Sequence, residues 1–177
     1  MNKKIYVING SGGVGKDLFV KYVTENSLNM FSTHNSVRNY SSVSKVKKIA
    51  WDIGWSGLKT EKDRKFLSDL KILTTEYNDM SFNDMRREIS SFWNDGDAWA
   101  LFLHIREPEE IARIVNGYSA KTILVKRDSV EHITSNMADK NVFNYRYDIV
   151  IDNDGTMEEL NTKAMNFVVQ EAICTQI

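Results

Sequence analysis

The 177 residues carry 23 Lys or Arg against 24 Asp or Glu, a formal net charge of −1, with 42% hydrophobic and 27% charged residues. That length and balance suit one domain (1–177) with a substantial core, in the range of ordinary globular proteins. They exclude a global basic field that would draw the chain to nucleic acid or an anionic membrane, and no apolar run approaches the roughly 18 residues needed to cross a bilayer. The basic start MNKKIYVIN has too short an apolar run for a signal peptide. Cys174 is the single cysteine, so no internal disulfide forms, and the expected setting is reduced and cytoplasmic.

In chain order, KIYVI at 4–8 reads as a first strand, apolar on both faces, running into the glycine-rich stretch GSGGVGKD at 10–17. Phe19, Tyr22 and Val23 then share one helical face, and a weaker strand, MFST, is expected at 30–33. Three segments at helical spacing follow: Val46, Ile49, Ala50 and Ile53; Phe66, Leu70, Leu73 and Tyr77; Phe82, Met85, Ile89 and Phe92. AWALFLHI at 98–105, KTILVK at 121–126 and DIVID at 148–152 complete a set of five strands. Asp154 and Gly155 mark a turn, and Thr156 with Glu159 forms a capping box before Leu160, Ala164, Phe167 and Val168. Strands alternating with helices predict a three-layer α/β/α fold with a mostly parallel five-stranded sheet. The two consecutive helices between about 55 and 96 read as an excursion over one end of that sheet.

The chemistry concentrates in the glycine stretch. It begins where a strand ends and opens a helix near Lys16, where ligands of open parallel sheets bind. Gly10, Gly12, Gly13 and Gly15 let the backbone of Gly10, Ser11, Gly12, Gly13, Val14 and Gly15 curl and aim N–H groups inward, an anion nest at a helix N-terminus. Lys16 adds a point charge able to reach the β- and γ-phosphates of a nucleotide. Asp17 stands where G-x-x-x-x-G-K-[ST] calls for a hydroxyl. A carboxylate beside a triphosphate is tolerable only with a cation between them, so Asp17 is the expected metal residue and Mg2+ the expected metal.

GKD in place of GK[ST] resembles a branch of the P-loop kinases that includes bacteriophage deoxynucleoside monophosphate kinases and animal phosphomevalonate kinase. LFLHIREPEEI at 101–111 looks like that branch's strand followed by D-x-R-x-P-x-E, with Arg106, Pro108 and Glu110 in place. YDIVIDNDGTMEEL at 147–160 looks like the strand, turn and final helix of nucleotide and dephospho-coenzyme A kinases, where the turn lies near the adenine. The resemblance implies a P-loop NTPase fold of nucleoside monophosphate kinase type, transfer of the γ-phosphoryl of ATP, and Asn153 and Gly155 beside the nucleotide. It also implies an acceptor site in the 55–96 segment and a short lid at about 127–146. The chain departs from the branch at His104, which stands where an aspartate is usual.

Within that frame Arg106, with a fork suited to a phosphate, and His104 are candidates at the end of the third strand. Arg38, Arg64 and Arg86 (with Arg87) are further candidates for the acceptor. Arg127 is the candidate clamp on the donor phosphates, with Lys126, Lys140 and Arg146 as the remaining cations of the lid. The catalytic set is therefore Lys16, Arg106 and Arg127, acting on a small phosphorylated acceptor, with a second copy of the chain as a conceivable partner. His34, His132 and Cys174 have no ligand-spaced partners, and Trp51, Trp55, Trp93 and Trp99 read as packing residues. The absence of an N-K-x-D segment argues against a guanine-specific GTPase. The acceptor stays open between a (deoxy)nucleoside monophosphate and another phosphorylated metabolite such as dephospho-coenzyme A. A regulatory domain that binds nucleotide without transferring phosphate is the rival.

Overall fold

A computed structural model describes residues 2–31, 36–128 and 142–173. Most of the expected lid, together with His34, His132, Lys140 and Cys174, lies outside the described residues. The strands are β1 (Lys4–Asn9), β2 (Ser36–Ser41), β3 (Ala98–His104), β4 (Lys121–Lys126) and β5 (Ile149–Asp152). They form one sheet in the order β2-β3-β1-β4-β5, and every neighbouring pair is parallel. The helices are α1 (Lys16–Phe31), α2 (Ser44–Asp52), α3 (Glu61–Asn78), α4 (Met80–Asn94), α5 (Pro108–Tyr118) and α6 (Met157–Val168). A single turn of 3-10 helix, Val142–Asn144, precedes β5, and α6 runs on into a π-helical turn, Val169–Ile173.

Alternation along β1 divides the core. Tyr6 and Ile8 face α1 and α6, where they join Phe19, Val20, Val23, Leu160, Ala164 and Phe167. Ile5 and Val7 face the other layer and meet Met85, Ile89 and Phe92 of α4 and Ile111 and Ile114 of α5. The first layer is largely aromatic. Phe167 lies 5.1 Å from Tyr6, 5.6 Å from Phe19 and 5.9 Å from Phe102, ring centre to ring centre. Pro108 at the start of α5, with Glu109 and Glu110 in its first turn, starts that helix without a side-chain cap. The capping box expected at Thr156 and Glu159 forms at α6, and a second, Thr60 with Asp63, opens α3.

Two expectations are corrected. The second strand is SVRNYS at 36–41, not MFST at 30–33, because α1 continues through Phe31. β2 is an edge strand with no fully buried residue, so its sequence is polar and apolar periodicity does not find it. The segment from 55 to 96 also divides. Only α3 rides outside the layers, with Lys71 its one buried residue, whereas α4 buries Met85, Ile89 and Phe92 against the sheet. The apolar spacing of Phe66, Leu70, Leu73 and Tyr77 therefore does not mark a core stripe: Leu73 and Tyr77 are exposed.

Phe167 touches both strands and α1, so Phe167→Ala should cost about 3–5 kcal/mol of unfolding free energy. Urea denaturation should show a lower midpoint with an unchanged slope, because the three-layered fold itself persists.

Candidate active site

The carboxyl end of β1 runs into the glycine loop through Asn9, which is 1% exposed. Its side-chain oxygen accepts from the Gly10 N–H at 2.8 Å, while its amide donates to the Tyr147 hydroxyl at 2.8 Å and to the Arg106 carbonyl at 3.4 Å. One side chain thus ties together the loop, the segment after β3 and the chain before β5. Tyr147 in turn donates to the Val142 carbonyl at 2.8 Å, and burial pushes its phenol up to about 12, so it stays neutral.

Two glycines are required by close approach. At Gly10 (φ +148°) a Cβ would lie 2.2 Å from the Val125 carbonyl oxygen of β4. At Gly15 (φ +97°) it would lie 2.4 Å from Nδ2 of Asn153. That Asn153 amide donates to the Val14 carbonyl at 2.8 Å, and the Asn153 N–H donates to the Lys126 carbonyl at 2.8 Å. Asn153, expected beside a nucleotide, is 6% exposed and acts as the clasp of the loop. At Gly155 a Cβ would collide with the Glu159 carboxylate, which folds back to cap α6, so this glycine serves the cap.

Lys16 is the first residue of α1, and its ammonium arches over the loop to the carbonyls of Gly10 and Ser11. Asp17 follows with its side chain 92% exposed. Across from it, His104 ends β3 beside Ile8 of β1, with Nδ1 3.7 Å from Oδ1 of Asp17. Burial lowers the His104 pKa to about 4. Asp17 opposes the shift, whereas Lys16, Arg106 and Lys47 reinforce it. The imidazole is therefore neutral near pH 7. Its Nε2 is buried without a hydrogen-bond partner, so the ring proton belongs on Nδ1, facing Asp17. The same ring locates three cations around it: Lys16 from the loop, Arg106 from beyond β3 and Lys47 from α2. Lys47 was not singled out in the sequence, where a lysine on an amphipathic helix reads as solvated.

Directly behind Arg106 lies a buried charge cluster. Lys71 of α3 reaches Glu107 at 2.7 Å and Glu110 at 2.9 Å. Burial raises the Glu110 pKa to about 7, with Lys71 opposing the shift and Glu107 adding to it. Burial also works against the charge of Glu107, but the Lys71 ammonium and its hydrogen bond outweigh it and hold that carboxyl below the usual range. The cluster fixes α3 to the turn that carries Arg106.

The other candidates are dispersed. Arg127, half-buried, follows β4 at the carboxyl edge of the sheet. Arg38 lies within β2 and is bound by Glu88 of α4 and by Asp95, the residue just after that helix. Arg64 sits in the first turn of α3, donating to the Lys59 carbonyl at 3.2 Å. Arg86 projects from α4 into a groove lined also by Trp93 and Tyr118. Of the four tryptophans only Trp99 is buried, with its N–H on Ser27, while Trp51 and Trp93 are exposed. Among the described residues no group of three or more His, Cys, Asp or Glu side chains could hold a metal, and no helix could cross a membrane.

No family model and no curated protein matches the chain. Among solved structures, thymidylate kinase from Ehrlichia chaffeensis superposes with a TM-score of 0.57 at 9% identity, over 95% of this chain and 100% of that one. The two share one fold, a five-stranded parallel sheet flanked by helices. A sugar kinase from Janibacter sp. (TM-score 0.49, 10% identity, 95% of each chain) and shikimate kinase from Aquifex aeolicus (0.48, 13%, 96% and 98%) are also similar.

The raised pKa of Glu110 sets a pH test. A carboxyl whose pKa rises on folding contributes stability below its unfolded value, near 4.3, and loses that contribution as pH climbs through about 7. His104 acts oppositely: its lowered pKa makes stability fall as pH drops from about 6.5 toward 4. Comparison with Glu110→Gln isolates the first effect. The variant should gain stability relative to the parent between pH 5 and 7.5, followed by urea denaturation at each pH. A constant difference across that range would contradict the assignment.

Proposed function

We propose that the protein is an ATP-dependent phosphotransferase that moves the γ-phosphoryl group of ATP, with Mg2+, to an acceptor that already carries a phosphate. A nucleoside or deoxynucleoside monophosphate is the acceptor the site suits best. The observation that carries this reading is the convergence of Lys16, Arg106 and Lys47 on His104 at the carboxyl ends of β1 and β3, beside the glycine loop. The likeness of the 101–111 and 147–160 segments to nucleotide kinases, and of the fold to a thymidylate kinase, supports the choice of acceptor.

The residues fit the donor and its metal. The loop is kept clear of side chains at Gly10 and Gly15, where a Cβ would collide, and its N–H groups at the start of α1 would receive the donor phosphates. Asp17 presents an exposed hard oxygen donor at that helix start and would hold the metal, with no further acidic or imidazole cluster among the described residues to share it. The metal would supply neutralisation of phosphate charge during transfer. Lys16, released from the loop carbonyls, turns its ammonium to the donor phosphates, and Arg127 at the end of β4 acts on the same group. Arg106 holds the acceptor phosphate, with Lys47 adding charge from α2. An ionised phosphate needs no base to become a nucleophile, in keeping with a neutral His104 that donates through Nδ1 and takes no proton. A phosphorylated metabolite other than a nucleotide would use the same groups.

Arg106→Ala should leave ATP affinity nearly intact and lower transfer roughly 30- to several-thousand-fold, the loss of about 2–5 kcal/mol of charge-assisted contact. A screen of common monophosphates with the parent protein must first give transfer. Binding of ATP without transfer to any of them would establish the rival, a nucleotide-sensing domain. Lys16→Ala should weaken ATP sharply in calorimetry. Chelation of Mg2+ should cost more ATP affinity in the parent than in Asp17→Ser, and equal costs would place the carboxylate outside the metal's reach.

A further inference from the structure

The face of the sheet covered by α4 and α5 carries a second feature that the phosphate loop does not use. A groove of about 540 Å3 runs along α4 against the end of α5, lined by Asn83, Arg86, Arg87, Ser90, Trp93 and Tyr118 and floored by Ile89. Beyond Trp93 and Tyr118 it meets a smaller hollow of about 280 Å3 that adds Lys3 and Lys121. This end lies away from the loop: α4 leads into the amino end of β3, and α5 into the amino end of β4. Neither lining contains an Asp or Glu.

The charges there are sorted unevenly. Nearby arginines are neutralised, Arg38 by Glu88 and Asp95 and Arg113 by Asp79. Lys4 and Lys121 share Glu171, and Lys3 is bonded to carbonyls at the end of α4. Arg86 and Arg87 are exposed and have no carboxylate partner among the described residues. On the same helix face as Arg86, two turns on, Trp93 is 48% exposed. Seven residues at 1.5 Å each separate their Cα atoms by about 10 Å along the helix. An aromatic surface at one end, an arginine pair at the other and the Ser90 hydroxyl between them match a planar ring joined to an anionic group. The volume falls in the range of small-molecule sites, roughly 300–1,000 Å3.

We infer that the α4–α5 groove is a second ligand site, separate from the phosphate loop, for a small molecule of nucleoside monophosphate dimensions, its ring on Trp93 and its anion on Arg86 and Arg87. Adenosine 5′-monophosphate serves as the probe, in equilibrium dialysis at low salt, with the principal site disabled by Lys16→Ala and Arg106→Ala together. That chain should still bind close to one equivalent. Adding Arg86→Ala and Arg87→Ala should weaken the binding about ten- to a hundredfold, and adding Trp93→Ala should weaken it several-fold. Inorganic phosphate should compete only at much higher concentration than the nucleotide, because it lacks the ring. All three side chains are exposed, so circular dichroism should show each variant folded. Loss of binding in the Lys16→Ala, Arg106→Ala chain would overturn the site, as would affinity indifferent to the arginines. Binding indifferent to Trp93, with phosphate competing as well as the nucleotide, would reduce the groove to an anion patch and overturn the ligand class.

Discussion

The Val125 carbonyl of β4 sits where any side chain at residue 10 would have to go, and this contact governs the geometry of the loop. Because β4 borders β1 and β5 borders β4, the loop emerging from β1 is enclosed by the ends of its neighbours. Asn9 anchors its first N–H, and Asn153, supplied by the chain leaving β5, anchors the Val14 carbonyl four residues on. The course of the loop is thus fixed by two buried asparagines rather than by the glycines alone. The glycines make the approach feasible, and the asparagines fix it.

Much of this was legible in the sequence, for identifiable reasons. β4 and the core strand β3 are continuous apolar runs, the loop is a fixed string of glycines before a lysine, and α6 opens on a capping box; each signal is local. Errors arose where local and tertiary demands diverge. β2 is polar because it is an edge, and Leu73 and Tyr77 of α3 face outward. Arg38, in a loop by sequence, belongs to that strand and is held by α4. Glu110 is legible only as the last letter of D-x-R-x-P-x-E, and Lys71 and Glu107 carry no signal; the approach of α3 to the start of α5 turns the three into a buried cluster. Asn9 had a usable signal, a polar residue closing an apolar strand just before the loop. Lys47 had none, since its place near His104 depends on how α2 sits after the edge strand.

The buried cluster bears on how Arg106 is presented. A single lysine facing two carboxylates cannot satisfy both charges fully in a low-dielectric setting, so one of them, Glu110, is held near the edge of protonation. Such an arrangement is poor as a source of stability, since apolar residues of equal volume would serve as well or better. Its directional consequence is the better account of its presence: it joins the outlying α3 to the turn after Arg106 at a defined point, where an apolar contact would allow sliding. The turn that follows Arg106 and the helix that rides above it are therefore tied at one defined point.

Electrostatics also decides how the departures at positions 17 and 104 can coexist. A carboxylate in the first turn of α1 favours the helix dipole but opposes an incoming triphosphate. A second carboxylate at the end of β3 would have stood some 4 Å away, where two like charges strongly disfavour joint ionisation. His104 removes that conflict, because the three surrounding cations and burial keep the ring neutral, and its Nδ1 proton faces Asp17 instead of repelling it. Around His104 the negative charge is thereby confined to one exposed group, Asp17, set against Lys16, Lys47 and Arg106. The two substitutions are legible only as a pair, one supplying the carboxylate and the other making room for it.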